Sequence, residues 1–126
     1  MTRAVDGRHP AVWAGRVSFP LPAPVPPQRL RAAVEEFVAH LLGWLRRQGC
    51  PLVGHIKGLL DTDAGMLGFS VTSLEERVRW RGNVTGAVAA VTVTLNAIVY
   101  GVPEELLAEA VKEGLRTYLG TPGAAR

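Results

Sequence analysis

A chain of 126 residues with 48% apolar and 20% charged side chains has the size and make-up of one globular domain, not of a disordered segment. No apolar run reaches the ~18 residues that cross a bilayer, residues 1–10 lack the apolar core of a secretory signal, and the lone Cys50 excludes an internal disulfide or a cysteine zinc cluster; a cytoplasmic protein without membrane contact, metal or cofactor is expected. The net charge of +3, from twelve Arg and two Lys against 11 acids, and the eight aromatics supply neither a dense basic stripe nor a stacking platform, which argues against nucleic acid as a partner.

Residues 1–10 carry no periodicity and are expected to form a flexible tail, ahead of a single domain over residues 11–119. Residues 11–21 alternate Trp13, Gly15, Val17, Phe19 and Leu21 against Val12, Ala14, Arg16 and Ser18, the two-residue period of a strand. Pro20 and Pro22 place that strand at a sheet edge or end it early, because proline cannot donate to a ladder. Residues 20–27 then predict a stiff, proline-rich connection. Pro24-x-x-Pro27 within it is a minimal motif for proline-recognising domains, and a rigid linker is the simpler reading.

Over residues 28–48, Leu30, Val34, Phe37, Leu41, Trp44 and Leu45 recur at helical spacing, with Pro27 suited to the first turn. Glu35, Gly43 and Arg46 fall on the opposite face, His40 at its boundary, and Gly49 supplies a C-cap. Residues 51–60 read as a strand with Leu52, Gly54, Ile56, Gly58 and Leu60 on one side and Val53, His55, Lys57 and Leu59 on the other. Asp61, Asp63 and Gly65 resemble the opening of a calcium loop, but the later acids are absent and Thr72 holds the position of the bidentate Glu, so a hairpin turn is predicted.

Residues 66–74 return as a strand with Leu67, Phe69 and Val71 inward and Gly68, Ser70 and Thr72 outward. Residues 77–81 set Arg77, Arg79 and Arg81 against Val78 and Trp80, an edge strand guarded by charge. Asn83-Val84-Thr85 fits a glycosylation sequon and, with no secretory context, reads as a turn. Residues 86–100 form the longest strand, with Ala87, Ala89, Val91, Val93, Leu95, Ala97 and Val99 on one face and Thr92, Thr94, Asn96, Ile98 and Tyr100 on the other. Pro103 opens a second helix to about residue 119, striped by Leu107, Ala110, Val111, Gly114, Leu115 and Tyr118, and residues 120–126 are expected to be a second flexible tail.

Residues 91–119, a strand ending in Tyr100-Gly101-Val102 followed by a helix of spaced valines and leucines, are similar to the C-terminal part of the alkaline-shock proteins. Those are small α+β proteins linked to the cell envelope and without enzymatic activity, which is what the resemblance implies here. It covers under a quarter of the chain and carries over no residue role.

The element order is β-α-β-β-β-β-α. Short links between strands call for antiparallel pairing, and two helices can cover one face of a sheet, so the fold class is α+β: a two-layer sandwich with a mainly antiparallel sheet of 4–5 strands. The uncovered face then displays His55, Lys57, Ser70, Thr72, Thr92, Thr94 and Asn96, together with Val53, Leu59, Ile98 and Tyr100. Small hydroxyls are what such a face shows to water even without a function. Its mixed character suits packing on a second copy of the chain through Ile98 and Tyr100. His55 and Lys57, two apart on one strand, can also meet one small anion, with Thr94 and Asn96 beside them. No nucleophile–base pair, phosphate loop or dinucleotide fingerprint is present. The expected function is therefore a homo-oligomeric binding or interaction module, in its simplest form a dimer, without catalysis. The alternative is a small enzyme or anion-binding protein using His55 and Lys57.

Overall fold

The alternations assemble into one five-stranded sheet in the computed structural model, which describes residues 9–74 and 77–120. In chain order the elements are β1 (Pro10–Val25), α1 (Pro27–Arg47), β2 (Leu52–Thr62), β3 (Gly65–Val71), β4 (Arg79–Val84), β5 (Val88–Tyr100) and α2 (Glu104–Leu119). The strands lie in the order β1-β5-β2-β3-β4 and every neighbouring pair is antiparallel. This is the expected α+β sandwich, with α1 and α2 on one face. No helix among the described residues is long and apolar enough to cross a membrane. Apart from residues 9, 10 and 120, the two expected tails lie outside the described residues.

The core forms between the helices and the inward side chains of the strands. Leu30, Val34, Phe37, Leu41 and Leu45 of α1 and Leu107, Val111 and Leu115 of α2 are buried against Ile56, Leu60, Leu67, Phe69, Val91, Val93, Leu95 and Val99. Full burial of each such side chain contributes about 1.5–3 kcal/mol. α1 ends in a Schellman turn: Gly49, at φ +77°, donates to Arg46 O, and Cys50 N–H donates to Leu45 O at 3.0 Å. Gly114 lets α2 approach α1, not the sheet: a Cβ there would stand 2.9 Å from Phe37 Cδ1.

Three sequence expectations need correction and a fourth needs an addition. The proline-rich stretch is not a separate connection, because β1 continues to Val25 and Pro27 is already the first residue of α1. Val12 N–H turns away from β5 and donates to Glu104 Oε1 at 3.0 Å. The register is unbroken from Pro10 to Pro20, so the nitrogens of these two prolines face the same open edge, where no donor is required. The same finding starts the first strand at Pro10, inside the stretch expected to be a tail.

The second correction is in β2. Its register slips between Val53 and His55, and Gly54 is the extra residue of a bulge. Val53 therefore turns inward, to 2% exposure, and Leu52 outward, while His55 keeps its outward place. The third is at the start of β5, which begins at Val88 and not at Gly86. Val88 and Val91 are both buried, with Ala89 and Ala90 outward between them, so Ala87 and Ala89 leave the inner face. Asp63 holds this irregularity: its Oδ1 accepts the N–H of Ala89 at 3.0 Å and of Ala90 at 3.3 Å. These two donors, Ala89 first, keep the Asp63 carboxyl below the usual carboxylate range.

The fourth concerns α1. Glu35 and Arg46 are exposed, as expected opposite the apolar stripe, but they are not idle in solvent: they fasten α1 to β4 and to the turn that precedes it. Glu35 Oε2 accepts from Trp80 Nε1 at 3.0 Å, Arg46 Nη1 donates to Leu74 O at 2.6 Å, and the Arg31 guanidinium lies 5.2 Å from the Trp80 ring centre. β4 is the charged edge strand expected, although Gly82, Asn83 and Val84 belong to it and not to a turn.

Candidate functional site

The face of the sheet away from the helices is built from outward positions of all five strands, and the registers arrange them in rows. Residues opposite each other on neighbouring strands have Cβ atoms ~5 Å apart, and successive rows lie ~7 Å apart. The first row is Pro10, Tyr100 and Leu52; the second is Val12, Ile98 and His55. The third runs Ala14, Asn96, Lys57, Ser70 and Arg79 across the whole sheet. The fourth is Arg16, Thr94, Leu59, Gly68 and Arg81, and the fifth Ser18, Thr92, Asp61, Met66 and Asn83.

Two zones result. The first two rows are apolar apart from His55. The bare backbone of Gly54 makes room there, since a Cβ on it would stand 3.2 Å from Ile98 Cγ2 and 3.4 Å from Tyr100 Cε2. The third and fourth rows hold Arg16, Lys57, Arg79 and Arg81 and no carboxylate. Asp61 follows in the fifth row, where Ser18 Oγ and Thr92 Oγ1 share a hydrogen bond of 2.9 Å.

The residues singled out from the sequence separate along this boundary. Lys57 and Asn96 stand directly opposite each other, and Thr94 is the next outward residue after Asn96 on β5. His55 shares their face but lies one row away, opposite Ile98. Ile98 and Tyr100 sit in the apolar rows, where Val12 and Leu52 join them. Thr72 is exposed but falls just beyond the end of β3. Sequence reasoning missed Arg16 as a member of the site. Its alternation with Ser18 assigns it to the outer face, but only the β1–β5 register places it opposite Thr94.

A groove of about 500 Å³ lies away from this face, lined by Val38, Leu42, Leu74 and Val78 with Glu35 and Arg46. Its Glu35 and Arg46 are committed to Trp80 and to Leu74 O, as already described. His40 is likewise engaged, its Nδ1 lying 3.4 Å from the Tyr118 hydroxyl across the α1–α2 contact.

No protein-family model matches the chain, and neither does any curated protein; the likeness of residues 91–119 to the alkaline-shock proteins finds no support there. Among solved structures the chain is similar to Zn(II)-bound YjiA GTPase from E. coli, at 18% identity and a TM-score of 0.38, over 82% of this chain and 29% of that one. A Zn(II)-bound triple mutant of YjiA GTPase gives 18% identity and a TM-score of 0.39 over the same shares. The chain thus spans under a third of the length of those proteins, 29%. Likeness at this level carries no argument about activity.

Proposed function

We propose that the protein is a homo-oligomeric binding module, a dimer in its simplest form, which works in the cytoplasm without catalysis and packs the apolar rows of its open sheet face on those of a second copy. One observation carries this reading. Among the described residues, four of the five exposed large apolar side chains, Val12, Leu52, Leu59 and Met66 but not Leu106, lie on this one sheet face, and Val12 and Leu52 fall in its apolar rows. Leu52 is 55% exposed beside Tyr100, and Val12 is 39% exposed beside Ile98.

Charge supports the same occupant. A two-fold axis through the first two rows pairs apolar side chains with their own copies. It also keeps the cations of the third and fourth rows of the two chains apart.

The test is the mass of the folded protein in solution. Native mass spectrometry and sedimentation should give a dimer for the wild type and a monomer for the double variant Ile98→Lys, Tyr100→Lys, with circular dichroism unchanged. A wild-type monomer at micromolar concentration overturns the reading. A double variant that stays folded and dimeric moves the contact off this face.

A further inference from the structure

The middle of the open face brings together side chains from three strands. Thr94 and Asn96 are consecutive outward positions on β5; Arg16 of β1 stands opposite Thr94 and Lys57 of β2 opposite Asn96. All four are exposed. Arg16 and Lys57 flank β5 from its two sides, with backbones about 12 Å apart, two strand spacings across and one row along. Their long side chains can both lean over β5 to the area between Thr94 and Asn96. On one side the area is bounded by the Ser18–Thr92 hydrogen bond, and on the other by Val12 and Ile98.

We propose that Arg16, Thr94, Asn96 and Lys57 form a binding site for a phosphate group. The Thr94 hydroxyl and the Asn96 side-chain amide donate from the sheet, while the Arg16 guanidinium and the Lys57 ammonium close from either side. Charge favours phosphate over carboxylate: two fixed positive charges meet the −1.5 to −2 that a phosphate monoester carries near neutral pH. Geometry favours it too. Donors arriving from three strands match a tetrahedral group with several acceptor oxygens better than a planar one with two. The donors sit on the interior of paired strands, so their backbones are held in place before the anion arrives. The site lies outside the two apolar rows and does not depend on the second copy.

The test is a titration of the full, isotope-labelled chain followed by its amide NMR spectrum, at constant pH and at an ionic strength held with sodium chloride. The probes are inorganic phosphate, phosphoserine, acetate and a long-chain polyphosphate. Phosphate should move the amides of Arg16, Lys57, Thr94 and Asn96 along one saturating curve, with acetate at least fivefold weaker. Tighter binding of phosphoserine than of inorganic phosphate identifies an esterified source, and the reverse order a free one. Arg16→Ala, Lys57→Ala and Asn96→Leu should each weaken phosphate binding about fivefold or more, whereas Arg81→Ala, a cation of the same face outside the site, should leave it unchanged. Shifts that never saturate, or variants that bind as wild type does, overturn the proposal. So does a loss with Arg81→Ala as large as with Arg16→Ala, joined to strong preference for polyphosphate, which would mark a surface for extended polyanions. Dimer mass is read separately, so failure of this site and failure of the dimer cannot be confused.

Discussion

Phe69 lies with its ring across the space that a side chain on Gly58 would fill. The two residues are directly paired between β2 and β3, and a Cβ built on Gly58 would overlap the ring at Cε2 and Cζ. The absent side chain is thus part of the core. Gly58→Ala should destabilise the protein by about 1–3 kcal/mol, as overpacking does, although alanine lowers the entropy of the unfolded chain. Urea denaturation of the single variant and of Gly58→Ala, Phe69→Leu checks this, and the double variant should recover part of the loss. Full wild-type stability for Gly58→Ala alone would show that Phe69 moves aside without cost.

Gly114 and Phe37 make the corresponding contact between the helices. Alanine at position 114 gains about 1 kcal/mol of helix propensity, but its Cβ would stand 2.9 Å from Phe37 Cδ1 and Cε1. Gly114→Ala should therefore be neutral or destabilising in the wild type and stabilising in a Phe37→Leu background. A double-mutant cycle over the four chains measures this coupling. Equal effects in both backgrounds would mean that the helices do not touch at this point.

Asp63 makes stability depend on pH. Its folded carboxyl titrates below the usual range because Ala89 and Ala90 donate to the charged form. That contribution is present above the unfolded pKa of about 3.9 and disappears as the pH falls through the lower folded value. Asp63→Asn keeps an acceptor oxygen and removes the charge. The variant should be less stable than wild type at pH 7, and the gap should shrink towards pH 3. Urea midpoints at the two pH values decide it; a constant gap would mean that the charge is not what matters.

Trp80 anchors β4 to α1 through its indole N–H, 3.0 Å from Glu35 Oε2. Trp80→Phe keeps a ring against Phe69 and under Arg31 but loses the donor. A loss of about 0.5–1 kcal/mol is expected at this exposed site. Glu35→Ala should cost nothing further in the Trp80→Phe background. Additive losses would assign Glu35 another role.

Patterns confined to one element were legible in the sequence. The two-residue period assigned Leu67, Phe69 and Val71 inward, and Thr94, Asn96 and Ile98 outward, because successive strand side chains point to opposite faces. The helical stripe of α1 was equally plain. What stayed hidden depended on partners far along the chain. The bulge at Gly54, which turns Val53 inward, appears only in the pairing of β2 with β5. The capture of two β5 amides by Asp63 joins residues 26 and 27 positions apart. Arg16 reaches the candidate phosphate site only because β1 pairs with β5, and no local periodicity encodes that register. Proline misled for a similar reason: it counts against a strand unless its nitrogen faces an edge, and which edge is open is a property of the whole sheet.

The carboxylate of Glu104 on Val12 N–H bears on how copies of the chain can join. A sheet lengthens without limit when its border offers a continuous row of unused donors to an incoming strand. Here that row is interrupted at Pro10, Val12 and Pro20, leaving Ala14, Arg16 and Ser18 as the outward N–H groups between them. The other border brings arginines 79 and 81 against their own copies. Strand addition is thus discouraged at both margins, and the proposed contact through the flat of the sheet would end with the second layer. Such a molecule is biased towards small closed assemblies and away from fibres.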